Sequence, residues 1–486
     1  MTGPRLTACV AVSLATLAAG CVVGPSYRPP APLAGAEAPL VSRDPALETT
    51  DAPPDAWWRL YDDPRLDGFV EEARTANADL AEAESNLGAS RALLDAAQNG
   101  RYPETTTNFG AIYGRDATTD AILGAVGEPP KSMWKFDNLL DVTYELDLFG
   151  RVRRSIEASR ADAESSAAER DSVRITVAAE TTRAYADVCA LGEQLAVARR
   201  SLDVVTREAD ITVQRRAAGA GTEFDVIRAQ GSAAQLRASI PPIEGARRAA
   251  VFELAALLGR TPAHAPAEVE ACVSPPRLVA LIPVGDGASL LARRPDVRQA
   301  ERKLAAATAR IGVATADLYP RISLTGLYGG AGPSFSGVVS ERMSLTWGVG
   351  PTISWSFPNL GGPRARIHQA KSEASAALAG FDSTVLQALR ETEQSLVDYS
   401  TELDRRQALT EVQEKAHRAF DIANNQYLAG SSSTLDLLVA EQTQVAADAD
   451  VAASDAALVQ NQIRVFKALG GGWSSHPKVR TAAATQ

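Results

Sequence analysis

Two stretches of this chain alternate apolar and polar residues with a period of two, over lengths that water-soluble strands seldom reach. In "MSLTWGVGPTISWSF", Met343, Leu345, Trp347, Val349, Ile353, Trp355 and Phe357 fall on one face, and Ser344, Thr346, Gly348, Gly350, Thr352, Ser354 and Ser356 on the other. Earlier, Trp134, Phe136, Leu140, Val142, Tyr144, Leu146 and Leu148 alternate with Lys135, Asp137, Asp141, Thr143, Glu145 and Asp147. Ordinary strands run to about 5–6 residues. A tilted strand needs about 9–11 to cross a bilayer, with apolar residues toward lipid, polar ones toward the lumen and aromatic girdles at both edges. The preceding "TTTNFGAIYGR" and "RISLTGLYGG" are the expected hairpin partners, joined by glycine-rich loops near 124–127 and 329–337. Four such strands can neither cover their own faces nor close a barrel, and open edges are not tolerated in lipid. The pattern therefore predicts an oligomer; two, three or four copies would give 8, 12 or 16 strands.

Between the strand regions the pattern changes to helix. From Gly362 to Gly430 the only breakers are Pro363, at a helix start where proline is tolerated, and Gly380. At about 1.5 Å per residue such a helix approaches 100 Å. Val385, Leu389, Thr392, Leu396, Tyr399 and Leu403 alternate steps of four and three, the spacing of a coiled-coil seam. The stretch from Arg151 to Gly219 has the same length. A return helix from Ser433 to Leu469 contains neither Gly nor Pro, whereas its counterpart holds Pro241 and Pro242, which predict a kink or break there.

The two halves repeat. "RAAGAGTEFDVIRAQ" and "YLAGSSSTLDLLVAE" align 211 residues apart, pairing Gly219 with Gly430 and Asp225 with Asp436. At the same offset Gly150 matches Gly361, Arg153 matches Arg364, Asp171-Ser172 matches Asp382-Ser383 and Leu258-Gly259 matches Leu469-Gly470. The "YP" at Tyr102-Pro103 recurs at Tyr319-Pro320, so a few residues were gained or lost in between. This reads as a tandem duplication. The expected organisation is a signal at 1–20, an extended segment at 21–64, a first repeat at 65–262 (hairpin about 103–149, helices about 150–259), a linker at 263–292, a second repeat at 293–473 (hairpin about 321–358, helices about 361–470) and a disordered tail at 474–486.

Composition narrows the function. The 486 residues carry a formal net charge of −10 and no Lys/Arg run, which argues against nucleic acid. Aromatic residues make up only 6%, suited to thin, closely packed helices. Near the start, Arg5 precedes an apolar stretch, Ala8 to Gly20, too short to span a bilayer, and "LAAGC" ends it at Cys21. That resembles a bacterial lipoprotein signal in which Cys21 becomes the acylated first residue, and Val22 behind it fits outer-membrane sorting. Cys9 leaves with the signal; Cys189 and Cys272 make no disulfide framework and are read as buried or incidental.

No catalytic constellation stands out. His264, His368, His417 and His476 are scattered without metal-ligand spacing, and "GLYGGAGPSFSG" lacks the Lys-Ser/Thr of a phosphate loop. The chain is expected to be no enzyme and to need no cofactor. Attention goes instead to the two turns. Gly219 and Gly430 suit the left-handed residue that ends a helix. Thr222 with Asp225, and Ser433 with Asp436, have the spacing of a capping box that starts the next one.

At this point the chain is identified as a member of a known family. "LLARRPDVRQAERKLAAATARIGVATADLYPRISLTG", Leu290 to Gly326, together with "CVVGPSYRPP", "YELDLFGRVRR" and the two turn phrases, resembles the outer-membrane factor (TolC-like) family, specifically its NodT-type efflux lipoproteins. The resemblance implies a mixed α and β fold: a homotrimer whose four transmembrane strands per chain make a 12-stranded β-barrel, continued by a long α-helical coiled-coil barrel forming a periplasmic tunnel. It implies a lipid-anchored channel in the outer membrane, passively conducting drugs or other small molecules. Its implied partners are a periplasmic adaptor (membrane fusion) protein and an inner-membrane efflux transporter of the resistance-nodulation-division type. The same architecture in type I protein secretion, or a helical lipoprotein without a pore, are the alternatives. By the same resemblance Asp225, Tyr427 and Asp436 form a periplasmic gate, and the turns at Gly219, Thr222, Gly430 and Ser433 dock the adaptor. Ser432 stands where the best-known member has an arginine, and Val439 where it has a second acid, so an arginine-linked closed state is not expected.

Overall fold

The computed structural model describes residues 22–42, 44, 46–49, 51–115, 117–278, 281–285, 287–336 and 345–471. The signal with Cys21, the tail beyond Trp473, and Met343 and Ser344 of the strand pattern lie outside the described residues. Six strands and nine helices are named below: β1 (Glu48–Thr49), α1 (Pro64–Ala76), α2 (Ala78–Asn99), β2 (Glu104–Gly114), α3 (Ala117–Ala125), β3 (Met133–Leu146), α4 (Arg151–Ala217), α5 (Glu223–Leu257), β4 (Ile282–Pro283), α6 (Gly287–Arg293), α7 (Pro295–Ala316), β5 (Arg321–Gly332), β6 (Leu345–Ser354), α8 (Gly361–Leu428) and α9 (Thr434–Ala468). The order helix, strand, strand, long helix, return helix thus occurs in each half. Among the described residues no helix is long and apolar enough to cross a membrane.

The chain divides into two compact units. One holds 22–30, 88–165 and 300–380, and contains a four-stranded antiparallel sheet in the order β2-β3-β5-β6. Its register carries the period-two pattern across all four strands. Tyr113 lies opposite Trp134, Leu140 opposite Tyr328, Tyr328 opposite Trp347, and Ile322 opposite Ile353. Side chains on one strand alternate between faces, so this pairing gathers most of the apolar residues, with all the aromatic ones, on a single face, leaving Ile112, Leu139 and Leu327 on the other. That face is bare: Trp347 and Val349 are each 71% exposed. The opposite face collects Asp137, Asp141, Glu145, Thr325 and Thr352. Aromatic residues cluster at both ends of the strands. Trp134 stacks on Phe136 and meets a tilted Tyr113 at one end, and Phe149 stacks on Tyr319 (4.5 Å between centroids) and Trp355 on Phe357 (4.6 Å) at the other. Where glycine-rich loops are expected near 124–127 and 329–337, the short helix α3 fills most of the first connection, and in the second Gly329 to Gly332 belong to the paired strand β5, while Gly337 lies outside the described residues.

"LDLFGR" explains how strand gives way to helix. Asp147 accepts the backbone N–H groups of Val152 (2.9 Å) and Arg153 (2.8 Å), satisfying donors that the start of α4 would otherwise leave unpaired. The extended segment after Cys21 is fixed in this unit too. Val23 N–H donates to Phe149 O, Arg154 donates to the carbonyls of Val23 and Gly24, and the Tyr27 hydroxyl donates to Glu301.

The second unit holds 31–87, 166–299 and 381–471. Its core is built on Trp57, Trp58, Tyr61, Tyr185, Leu254 and Phe466, with Trp57 stacked on Phe466 at 4.8 Å. The seam read from α8 faces inward: Thr392 and Leu396 are fully buried, Val385 and Tyr399 nearly so, and Leu389 and Leu403 pack against the core. Two expectations are corrected here. Pro241 and Pro242 do not break the return helix, because α5 runs unbroken through them over 35 residues. The carbonyls they leave without N–H partners belong to exposed positions, where water can satisfy them. Cys189 and Cys272 are not incidental: they form a disulfide across 83 residues, with Cα atoms 4.8 Å apart. It fastens the linker to α4, and Arg247 adds hydrogen bonds to the carbonyls of Cys272 (2.8 Å) and Glu270 (2.6 Å).

Candidate functional site: the two helix-to-helix turns

Each long helix ends in the same way. Gly219 and Gly430 adopt φ of 80° and 74°, left-handed values that a side chain would oppose. Ahead of them, Ala220 N–H returns to Arg215 O and Gly219 N–H to Arg216 O; Ser431 to Gln426 and Gly430 to Tyr427 repeat the pattern. These are the paired bonds of a Schellman motif, and they consume carbonyls that a bare helix end would leave orphaned. A Cβ on either glycine would meet nothing within 4 Å. The turns are therefore held from behind and open in front.

Each return helix starts with a full capping box. Asp225 N–H donates to Thr222 Oγ (3.2 Å), while Asp225 Oδ2 accepts from the Thr222 N–H (3.1 Å) and hydroxyl (2.6 Å). Asp436 and Ser433 match this at 3.2, 3.1 and 2.6 Å, and the Ser432 hydroxyl adds a third bond to Oδ2 at 3.2 Å. Hydrogen bonds from the Thr222 hydroxyl and backbone hold the Asp225 carboxyl below its usual range; those from Ser433, with Ser432, do the same for Asp436. Among the described residues every hydrogen bond to the two carboxylates falls on Oδ2. The second oxygen of each carboxylate is left for solvent, ions or another chain.

Tyr427 is placed differently. Its residue is 1% exposed, and Arg215 of α4 covers it, with Cζ 4.1 Å from the ring centroid and Nη1 donating to the Tyr427 carbonyl at 3.1 Å. So an arginine does secure this turn, but from α4 rather than from position 432. Among the described residues no hydrogen bond joins Tyr427 to Asp225 or Asp436; the structure brings the tyrosine to Arg215 and gives each aspartate to its own cap. Reading the sequence missed Arg215, which stands 212 residues from its partner and carries no local signal. Across the first turn Arg216 Nε pairs with Glu223 at 2.7 Å. Exposed apolar side chains flank both turns, Phe224 and Ile227 beside one and Leu428, Leu435 and Val439 beside the other. Cys21 lies outside the described residues.

The "ARRPDVRQAE" stretch has a structural task. Arg294 is buried, donating to Asp296 (2.6 Å), Glu391 (2.9 Å) and the Ala468 carbonyl (2.9 Å) at the end of α9. Arg298 donates to Asp171 at 2.5 Å. Its charges tie the start of α7 to α4, α8 and α9.

The profile of the outer membrane efflux protein family matches residues 69–260 and 288–471. Nodulation protein T of Rhizobium leguminosarum bv. viciae is 31% identical, over 98% of this chain and 95% of its own. Outer membrane protein OprJ of Pseudomonas aeruginosa is 30% identical, over 95% of each. Among solved structures, the outer-membrane channel OprN superposes with a TM-score of 0.86 at 35% identity, covering 93% of this chain and all of that one. The open-state MtrE outer membrane channel of Neisseria gonorrhoeae gives 0.81 at 25% identity, covering 95% and 100%.

Proposed function

This chain belongs to the outer membrane efflux protein family, and from that premise we propose that three copies assemble into one outer-membrane channel, through which drugs or other small molecules leave the cell passively. The family consists of channels, and conduction of this kind makes or breaks no bond in the cargo. The observation that carries the reading is the β2-β3-β5-β6 sheet: one apolar, exposed face with aromatic belts at both ends, and two outer strands, β2 and β6, that lack a neighbour on one side among the described residues. In lipid every backbone donor must be paired, so the outer strands need partners from further copies. A periplasmic adaptor and an inner-membrane transporter of the resistance-nodulation-division type would supply the cargo. Acylation of Cys21 would add a lipid anchor.

The two turns are the gate and the docking surface in this reading. The free Oδ1 atoms of Asp225 and Asp436 would line the constriction and favour cations, while Arg215 on Tyr427 holds the α4 and α8 ends together in the closed state. The open space before Gly219 and Gly430, beside Thr222 and Ser433, is where an adaptor hairpin would sit. Single-channel recordings on the purified oligomer in planar bilayers test this. Discrete conductance steps are expected, with Asp225→Ala plus Asp436→Ala raising leak and weakening cation blockade. An inserted oligomer without conductance overturns the channel; recordings unchanged by the double substitution restrict both aspartates to capping.

A further inference from the structure

α4 and α9 run antiparallel, and their polar rungs keep one register. Lys467 donates to Glu180 at 2.9 Å and Gln460 to Asp187 at 2.9 Å, seven residues forward on α4 answering seven back on α9. About six turns further on, α4 brings Glu208 alongside α9, where Glu441, two residues from strict register, lies close enough to feel its charge. On the way it passes another acid pair, Glu193 beside Asp455, but there Arg277 and Arg406 are both bonded to Asp455. Glu208 and Glu441 have no such cation: among the described residues no guanidinium or ammonium is hydrogen-bonded or ion-paired to either. Glu441 is 2% exposed, and its Oε1 and the Oε2 of Glu208 are both buried without a hydrogen-bond partner.

Two ionised carboxylates cannot share a dry interface cheaply, because each must lose its water with no counter-charge to replace it. One proton resolves this, turning one carboxyl into a donor for the other. Burial, reinforced by the charge of Glu208, pushes Glu441 up to about 7, and burial raises Glu208 as well. The other groups nearby are committed elsewhere. His417 of α8 bonds Asp448 through Nε2 (2.7 Å) and Gln444 through Nδ1 (3.2 Å), and Arg215 of α4 lies on Tyr427.

We infer that Glu208 and Glu441 form a proton-binding site that fastens α9 to α4 while one proton is shared, and releases it when that proton leaves. α9 begins at the Ser433–Asp436 turn, five residues before Glu441, so release removes the footing of that turn. The inference rests on the channel reading for its consequence, though not for the site itself. The sign follows from a carboxyl raised in the folded state: packing is strongest below the ordinary glutamate range and weakens as pH rises through about 7.

Two measurements on the full-length oligomer test it. Infrared difference spectra between about pH 5.5 and 8.5 are expected to show a protonated-carboxyl band that disappears with a midpoint near 7, and that Glu441→Gln removes. Over the same range, open probability in planar bilayers should rise several-fold in the natural chain and stay at its low-pH value in Glu441→Gln, whose amide can donate to Glu208 at any pH. Glu208→Gln provides a second variant should the first fail to assemble, and His417→Gln should leave the profile in place. Absence of the titrating band overturns the site, and this is read without any conduction, so it is distinct from failure of the channel. A pH profile that persists in Glu441→Gln overturns the fastening role.

Discussion

Replacing Arg215 with alanine probes the contact that secures the second turn. The guanidinium lies 4.1 Å from the Tyr427 ring centroid and donates to the Tyr427 carbonyl at 3.1 Å. A cation on a buried aromatic ring contributes about 1–2 kcal/mol, and a hydrogen bond from a charged donor about 1.5–3 kcal/mol. Arg215 is only half-buried, so water replaces part of both, and a net loss of about 2 kcal/mol is a fair expectation. That is roughly a thirtyfold rise in the population whose α4 and α8 ends have parted. In single-channel recordings Arg215→Ala should raise leak by at least an order of magnitude. Arg215→Lys, which keeps the charge but loses the planar fork, should fall between. Tyr427→Phe is the discriminating control. The contacts run to the ring and the carbonyl, and the hydroxyl makes no hydrogen bond among the described residues, so this change should leave leak close to that of the natural chain. If Arg215→Ala leaves leak unaltered, or Tyr427→Phe raises it as much, the ring-and-carbonyl account is wrong.

Two further outcomes follow from the fold. Breaking the Cys189–Cys272 bond by paired alanine substitutions opens a constraint across 83 residues, worth at most about 4.5 kcal/mol by loop entropy, and should lower the denaturation midpoint by an amount corresponding to about 2–4 kcal/mol; equal midpoints with and without a reductant would refute it. Val349→Arg places a charge on the apolar face of β6 at a cost of about 2–4 kcal/mol, whereas Thr346→Arg, on the opposite face, should be tolerated. The yield of heat-modifiable oligomer in membranes reads both, and similar losses would contradict the assignment of faces.

Much of this molecule is written in short-range pattern. Period-two alternation marked the strands, the three-and-four spacing from Val385 to Leu403 marked a buried stripe, and Gly430 with Ser433 and Asp436 spelled a helix end followed by a helix start. Each is local, set by backbone geometry within a few residues. What could not be read is what depends on distant partners. Arg215 looks like any basic residue in the last turn of a helix until Tyr427 is brought beneath it. Cys189 and Cys272 had no spacing rule to join them. Glu441 sits among helix-forming neighbours that give no hint of its burial. Pro241 and Pro242 were misjudged in the opposite sense: a strong local rule yielded because the carbonyls they free face water.

The two unpaired edges of the sheet also bear on inheritance. In the proposed ring of identical chains there is no spare seam: each β2 would meet a neighbour's β6, and one faulty edge would leave the whole circle open. A chain with proline in either edge strand would therefore not merely be lost itself. Expressed beside intact copies, it would be built into mixed rings and spoil them, so such an allele should behave as dominant while a deletion behaves as recessive. In that ring a single copy would line no hole of its own, which would protect the cell.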